Sequence, residues 1–99
     1  MEKKINVGRV VVTHNIARIA NDFRFHNFIL ESLMRHCDAD WGDLCEEDKA
    51  ENERALKHGG RLFSSYNIPA GIGCDDEEKI YIITEHDRSC TTVLFSWEY

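Results

Sequence analysis

The stretch Phe25–His36 constrains this chain more than any other. Phe25, Phe28, Ile29, Ser32, Leu33 and His36 fall at i, i+3, i+4, i+7, i+8 and i+11, which is one face of an amphipathic helix. A helix with one apolar face needs a second layer to bury it. The chain after Gly59-Gly60 supplies that layer. Leu62–Ile68, Lys79–Glu85 and Thr91–Trp97 are rich in β-branched and aromatic residues and read as strands. His86-Asp87-Arg88-Ser89 is a tight turn, and Pro69–Asp76 is a turn-rich connection. Successive strands with such links form an antiparallel meander. Val7–Thr13 reads as a further strand joining the same sheet. The expected fold is therefore α+β, in the order β-α-α-α-β-β-β. An antiparallel sheet of three to four strands carries about three helices on one face.

The helices have start and stop signals. Thr13 or Asn15 can cap a short helix bearing Ile16, Ile19, Ala20 and Phe23, with a bend near Asp22–Arg24 before the longer one. Cys37–Gly42 is a loop. Asp43 then reads as an N-cap with Glu46 three residues on. Arg54, Lys57 and His58 suit the C-terminal end of that third helix, and Gly59-Gly60 stops it.

With 99 residues, the chain is one domain spanning residues 1–99. That length excludes a two-domain enzyme, a dinucleotide fold with a separate substrate domain, and a nucleotide-driven motor. No run of 18 apolar residues occurs, so no membrane span is expected. The start Met1–Asn6 has no signal-peptide apolar region. Cys37, Cys45, Cys74 and Cys90 then read as reduced thiols of a cytoplasmic protein. The net charge of −6 is unevenly spread. Residues 1–37 carry six basic and three acidic residues (+3), and residues 38–99 carry six basic and fifteen acidic ones (−9). Asp38, Asp40, Asp43, Glu46, Glu47, Asp48, Glu51 and Glu53 are offset there only by Lys49, and Asp75–Glu78 forms a second acidic run. This balance argues against direct nucleic-acid binding, which needs basic surface. An acidic surface instead attracts a basic protein.

Two blocks carry a family resemblance. One is Asp40-Trp41-Gly42-Asp43-Leu44 with Glu47-Asp48, Asn52, Ala55-Leu56 and Gly60–Tyr66. The other is Lys79–Glu85 with Asp87-Arg88-Ser89 and Thr91–Phe95. Together, over residues 5–15 and 32–99, the chain resembles a family of small bacterial plasmid-related proteins found on plasmids, conjugative elements and prophages. Members often bear a label as a type I restriction subunit. The chemistry here does not fit that label. Methyl transfer to adenine needs an Asn-Pro-Pro-aromatic motif, and the one proline, Pro69, follows Ile68. The aromatic Phe23–Phe28 segment and the four cysteines depart from the family pattern. The resemblance implies a protein of a mobile genetic element.

Candidate sites follow from side-chain chemistry. His36-Cys37 with Cys45 and His58 is the only local set of soft ligands, and it lacks the short paired spacings of structural zinc. No metal or cofactor is expected. Ser64, Ser65, Ser89 and Cys90 are possible nucleophiles beside His86-Asp87, but no nucleophile elbow occurs. Asp87 reads instead as a turn residue bonded to local backbone. Gly71-Ile72-Gly73 does not lead into a helix and cradles no phosphate.

The third helix offers two sites. Leu44, Cys45, Asp48, Asn52, Ala55 and Leu56 share a stripe expected to face the sheet. Trp41, Asp48, Asn52, Arg61, Tyr66 and Arg88 could then line a pocket for a small, nucleotide-like ligand. The same polar residues could equally tie helix to sheet. Outward lie the acids Asp38, Asp40, Glu46, Glu47, Glu51 and Glu53. These form either a solvated face or a carboxylate array that engages a basic host protein, such as a defence nuclease or another nucleic-acid-handling protein. The strand Leu62–Ile68 and the C-terminal Phe95–Tyr99 could supply aromatic anchors for such a contact, and Trp97 and Tyr99 could instead close the core edge. The expected function is non-enzymatic. If Val7–Thr13 or Thr91–Phe95 is a bare sheet edge, a homodimer is an alternative to a monomer.

Overall fold

In a computed structural model that describes residues 5–72 and 79–99, Cys74 and the Asp75–Glu78 run lie outside the described residues. The elements are β1 (Arg9–Val12), α1 (His14–Ile19), α2 (Phe23–Cys37), α3 (Glu46–His58), β2 (Leu62–Asn67), β3 (Lys79–Thr84) and β4 (Cys90–Phe95), closed by a 3₁₀ turn, Ser96–Glu98. The order is β-α-α-α-β-β-β, and the fold is α+β.

Local chemistry sets the helix ends. The Thr13 hydroxyl accepts from the Ile16 N–H at 3.3 Å and starts α1. The Asp22 carboxylate accepts from the Arg24 N–H at 2.9 Å, which separates α1 from α2. From α2, the side chains of Phe25, Ile29, Ser32, His36 and Cys37 are buried. Phe25 and Ile29 join Ile16, Tyr66, Ile80, Ile82, Val93 and Phe95 in the main core. Truncating a residue like Phe25 to alanine costs about 3–5 kcal/mol. A smaller cluster of Ile5, Trp41 and Leu62 takes Leu44, Ala55 and Leu56 from the α3 side.

The sheet order is β1-β4-β3-β2. β2–β3 and β3–β4 are antiparallel, the expected meander. β1 pairs with β4 in parallel, Arg9 opposite Cys90 and Val12 opposite Val93, so the sheet is mixed rather than purely antiparallel. A parallel pair needs a long crossover. Here nearly the whole chain lies between the two strands, so the topology can supply one.

Element ends differ from the sequence reading at several points, two of which matter here. α3 starts at Glu46 with Cys45 as N-cap and no side-chain cap bond. The Asp43 carboxylate accepts instead from the Asn67 N–H at 2.9 Å. The last strand ends at Phe95 rather than Trp97. There the Glu98 carboxylate accepts from the Phe95 N–H (2.7 Å), the Thr13 hydroxyl (2.9 Å) and the Asn15 amide (2.9 Å), which turns the chain over α1. Burial pushes the Glu98 pKa up, but these hydrogen bonds outweigh it and hold the carboxyl below its ordinary value. Trp97 and Tyr99 are largely exposed, and Trp97 stacks on the core residue Phe95 with ring centroids 5.8 Å apart.

The two sheet edges differ. On β2, register directs the backbone of residues 63, 65 and 67 away from β3. Asn52 donates to the Phe63 carbonyl at 2.6 Å and accepts from the Phe63 N–H at 3.0 Å. Ser65 bonds Trp41 and Asp43 through its backbone, and Asn67 is held by Asp43. The β2 edge is therefore sealed by its own chain. Gly42 makes this possible. It has φ +75°, and a β-carbon there would strike the Ser65 carbonyl and the Tyr66 ring. On β1, the Arg9 and Thr13 N–H groups turn to β4, at Ser89 (3.0 Å) and Val93 (3.1 Å). The backbone groups of Val10 and Val12 therefore face outward, and no element pairs with them among the described residues.

Candidate functional site

The six residues expected to line a helix–sheet pocket are spent on internal bonds or lie outside it. Asn52 is buried against Phe63 as described. Asp48, expected on the same stripe, is exposed. An interval of four residues keeps two side chains on one face. Here only Asn52 is turned onto β2, and the Asp48 side chain stays in solvent. The buried Trp41 indole donates to Glu53 at 2.7 Å. The buried Tyr66 hydroxyl donates to the Asp40 carbonyl at 2.6 Å, and burial holds its phenol well above the ordinary range. The Arg88 guanidinium donates to the carbonyls of Gly60 (2.6 Å), Glu85 (3.1 Å) and Ala55 (3.2 Å), clamping the end of α3 to the β3–β4 turn. Arg61 is exposed, 3.9 Å from Glu85. Among the described residues, every buried side-chain polar atom has a partner. The polar groups at this junction are structural ties.

A polar chain runs through the interior. His36 Nδ1 lies 2.5 Å from Ser64 Oγ, and Nε2 lies 2.9 Å from Thr84 Oγ1. Thr84 Oγ1 lies 2.7 Å from Thr91 Oγ1, which donates to the Val7 carbonyl at 2.7 Å. Donor counting fixes the direction. The Thr91 hydrogen goes to a carbonyl, so Thr84 donates to Thr91. His36 Nε2–H then donates to Thr84, and Nδ1 accepts from Ser64. Burial pushes the His36 pKa down to about 4, and the charge of Arg88 acts in the same sense. This is a neutral imidazole beside a serine, the outline of a nucleophile and its base. Yet both residues are fully buried, and a base with so low a pKa takes up a proton poorly near neutral pH. In the sequence His36 stood out only as an apolar-face position and as part of the weak metal set. Both its ring nitrogens are occupied by hydroxyls here. Among the described residues, no three His, Cys, Asp or Glu side chains converge to hold a metal. In the β3–β4 turn, Asp87 accepts from the Ser89 N–H at 3.0 Å, as its turn reading expects.

The acidic residues divide into three groups. Asp40 pairs with Arg35 at 2.7 Å, which holds its carboxyl below the ordinary value. Glu53 is engaged by Trp41, and Glu51 pairs with Arg54. Glu46, Glu47 and Asp48 form the exposed first turn of α3, where the helix dipole favours negative charge. The nearest cation to this turn is Lys49, 3.9 Å from Glu46. Asp38 lies apart, at the C-terminal end of α2.

The face of the sheet opposite α2 bears an aromatic cluster that sequence reasoning did not assemble. Phe63 and Tyr81 meet edge to face with centroids 4.6 Å apart, and Tyr99 lies 6.0 Å from each. The Arg61 guanidinium lies 5.8 Å from the Tyr99 centroid, and Lys79 Nζ lies 5.9 Å from that of Tyr81. The signal was present in the two-residue period. Phe63 and Tyr81 alternate with the core residues Leu62, Ser64, Ile80 and Ile82. The register that sets Phe63 opposite Ile83, and so diagonal to Tyr81, was not readable. A separate, mainly apolar groove of about 560 Å³ runs between β1 and α2, walled by Val7, Val10, Leu30, Leu33, Met34 and Cys37 together with Asp38.

Comparison with protein-family models, curated proteins and solved structures finds no match to this chain. Among the described residues, no helix is long and apolar enough to cross a membrane.

Proposed function

We propose that this chain is a non-enzymatic interaction protein of a mobile genetic element, and that it modulates a basic, nucleic-acid-handling host protein through the first turn of α3. The observation that carries this reading is the projection of Glu46, Glu47 and Asp48 from one exposed turn with little local compensation. Two further features support it. The Ser64–His36 pair is sealed, and the helix–sheet junction is filled with satisfied polar groups. Electrostatic steering of this kind is strongest at low ionic strength.

The experiment is a tagged pull-down from host lysate at low and high salt, with wild type beside the Glu46→Lys, Glu47→Lys, Asp48→Lys variant. The expected result is a basic nucleic-acid-handling protein retained at low salt, and lost both at high salt and with the variant. Equal capture by the charge-reversed chain refutes the reading.

A second reading rests on Phe63, Tyr81 and Tyr99 with Arg61 and Lys79. This face offers stacking surface and cations to a nucleotide-like ligand, replacing the helix–sheet pocket as its site. A thermal-shift panel of mononucleotides tests it. Stabilisation abolished by Tyr81→Ala supports the site, and no shift with any nucleotide removes it.

A further inference from the structure

We infer that the β1 edge is the interface of a symmetric homodimer, in which β1 pairs antiparallel with β1 of a second copy about a twofold axis at Val11. The two edges of the sheet contrast sharply. An open edge strand is a liability that proteins blunt with charge, proline, bulges or covering segments. This chain covers β2 with Asn52, Trp41 and Asp43. In β1 the one charge, Arg9, stands at the start of the strand, and Val10-Val11-Val12 carries no charge, proline or covering element among the described residues.

The surface beside that edge is mainly apolar, with Asp38 the one charged residue lining it. Val10 and Val12 lie on the α2 side of the sheet and are 42% and 41% exposed. Across the 560 Å³ groove, α2 presents Leu30 (47% exposed) and Met34 (69%). Phe23, at 71%, continues that stripe one turn pair earlier. This stripe is offset from the face α2 buries in its own core.

A second copy fits this edge because the edge is complementary to itself. An axis at Val11 sets Val10 opposite Val12 of the copy, and Val12 opposite Val10. All these residues direct N–H and C=O outward, so each exchanges both bonds with its partner. The side chains that meet are valine on valine, a favourable cross-strand pair. The nearest charged residue, Arg9, falls opposite Thr13, so no like charges are opposed. Each copy carries −6, yet α3 packs on β2 at the far side of the sheet. Joining at β1 therefore holds the two acidic helices at opposite ends of one eight-stranded sheet. The inference does not depend on the proposed partner, and a dimer would present that acidic turn twice.

Sedimentation velocity of the full chain over a dilution series tests this. The expected result is a dimer that dissociates on dilution. The Val10→Lys, Val12→Lys variant, with an unchanged circular dichroism spectrum, should associate at least tenfold more weakly. A cross-link checks the register should that variant fail to fold. Residues facing each other on the axis form a non-hydrogen-bonded pair with Cα atoms about 4.5 Å apart, within disulfide reach. In a Cys45→Ser, Cys74→Ser, Cys90→Ser background, Val11→Cys should form an intermolecular disulfide on mild oxidation, and Val12→Cys should not. A monomer at all concentrations, a dimer indifferent to the two lysines, or equal cross-linking at positions 11 and 12 overturns the inference.

Discussion

Mild acid should destabilise this protein through one side chain, His36. Folding buries its imidazole between Ser64 and Thr84 and pushes its pKa from an ordinary 6.5 down to about 4. The unfolded chain therefore binds more protons than the folded one between these values. Stability is fully present above the unfolded pKa and falls as pH drops toward the folded one. At about 1.36 kcal/mol per unit, the loss from about pH 7 to about pH 5.5 is roughly 1 kcal/mol, and it roughly doubles by about pH 4.5. The upper window is diagnostic. Asp22, Asp40, Asp87 and Glu98 have pKa values below their ordinary 3.8 or 4.5, so they stay ionised in both states there. Urea unfolding at several pH values measures the slope in wild type and in His36→Phe. The variant should be less stable at pH 7, because Ser64 loses its acceptor, at a cost of about 1–3 kcal/mol. It should also lose the pH dependence that belongs to His36. A wild-type imidazole titrating above pH 6 by NMR, or an unchanged slope in the variant, would refute the argument.

Other substitutions probe the ties that replaced the expected pocket. Asn52→Leu removes both bonds to Phe63 and unseals the β2 edge, and chemical denaturation should show a loss of about 2–4 kcal/mol, as for two buried backbone groups left without partners. Gly42→Ala meets both a positive φ and the Ser65 carbonyl, so its melting temperature should fall further than that of Gly59→Ala, whose added β-carbon meets nothing within 4 Å. Glu98→Ala frees Thr13, Asn15 and the Phe95 N–H. Hydrogen exchange should quicken at the start of α1 and the end of β4, with a stability loss of roughly 1–3 kcal/mol. The Glu46→Lys, Glu47→Lys, Asp48→Lys variant should remain folded and lose about 0.3–1 kcal/mol per site through the helix dipole, as measured by urea unfolding.

Periodicity and caps alone determined the element order, the buried face of α2 and the separation of α1 from α2. These depend on contacts between near neighbours in the chain: Phe25 to His36 repeat at helical spacing whatever surrounds them, and Asp22 caps its own helix. The two-residue alternation that puts Tyr66 and Ile82 on one face of the sheet and Phe63 and Tyr81 on the other is present in the sequence, but the cluster it builds was not read from it. Tertiary structure decided which strands pair, and in what direction. Val7–Thr13 reads as a strand, but nothing local says that it lies parallel to β4 or stands at the edge. The same holds for the candidate sites. Asp48 and Asn52 are four residues apart on one helix, yet only Asn52 is buried against β2, and Asp48 is exposed. His36, Ser64, Thr84 and Thr91 are far apart in sequence and form one hydrogen-bonded chain. Burial and long-range register are properties of the packed chain, so a sequence shows that these groups are polar but not that they meet.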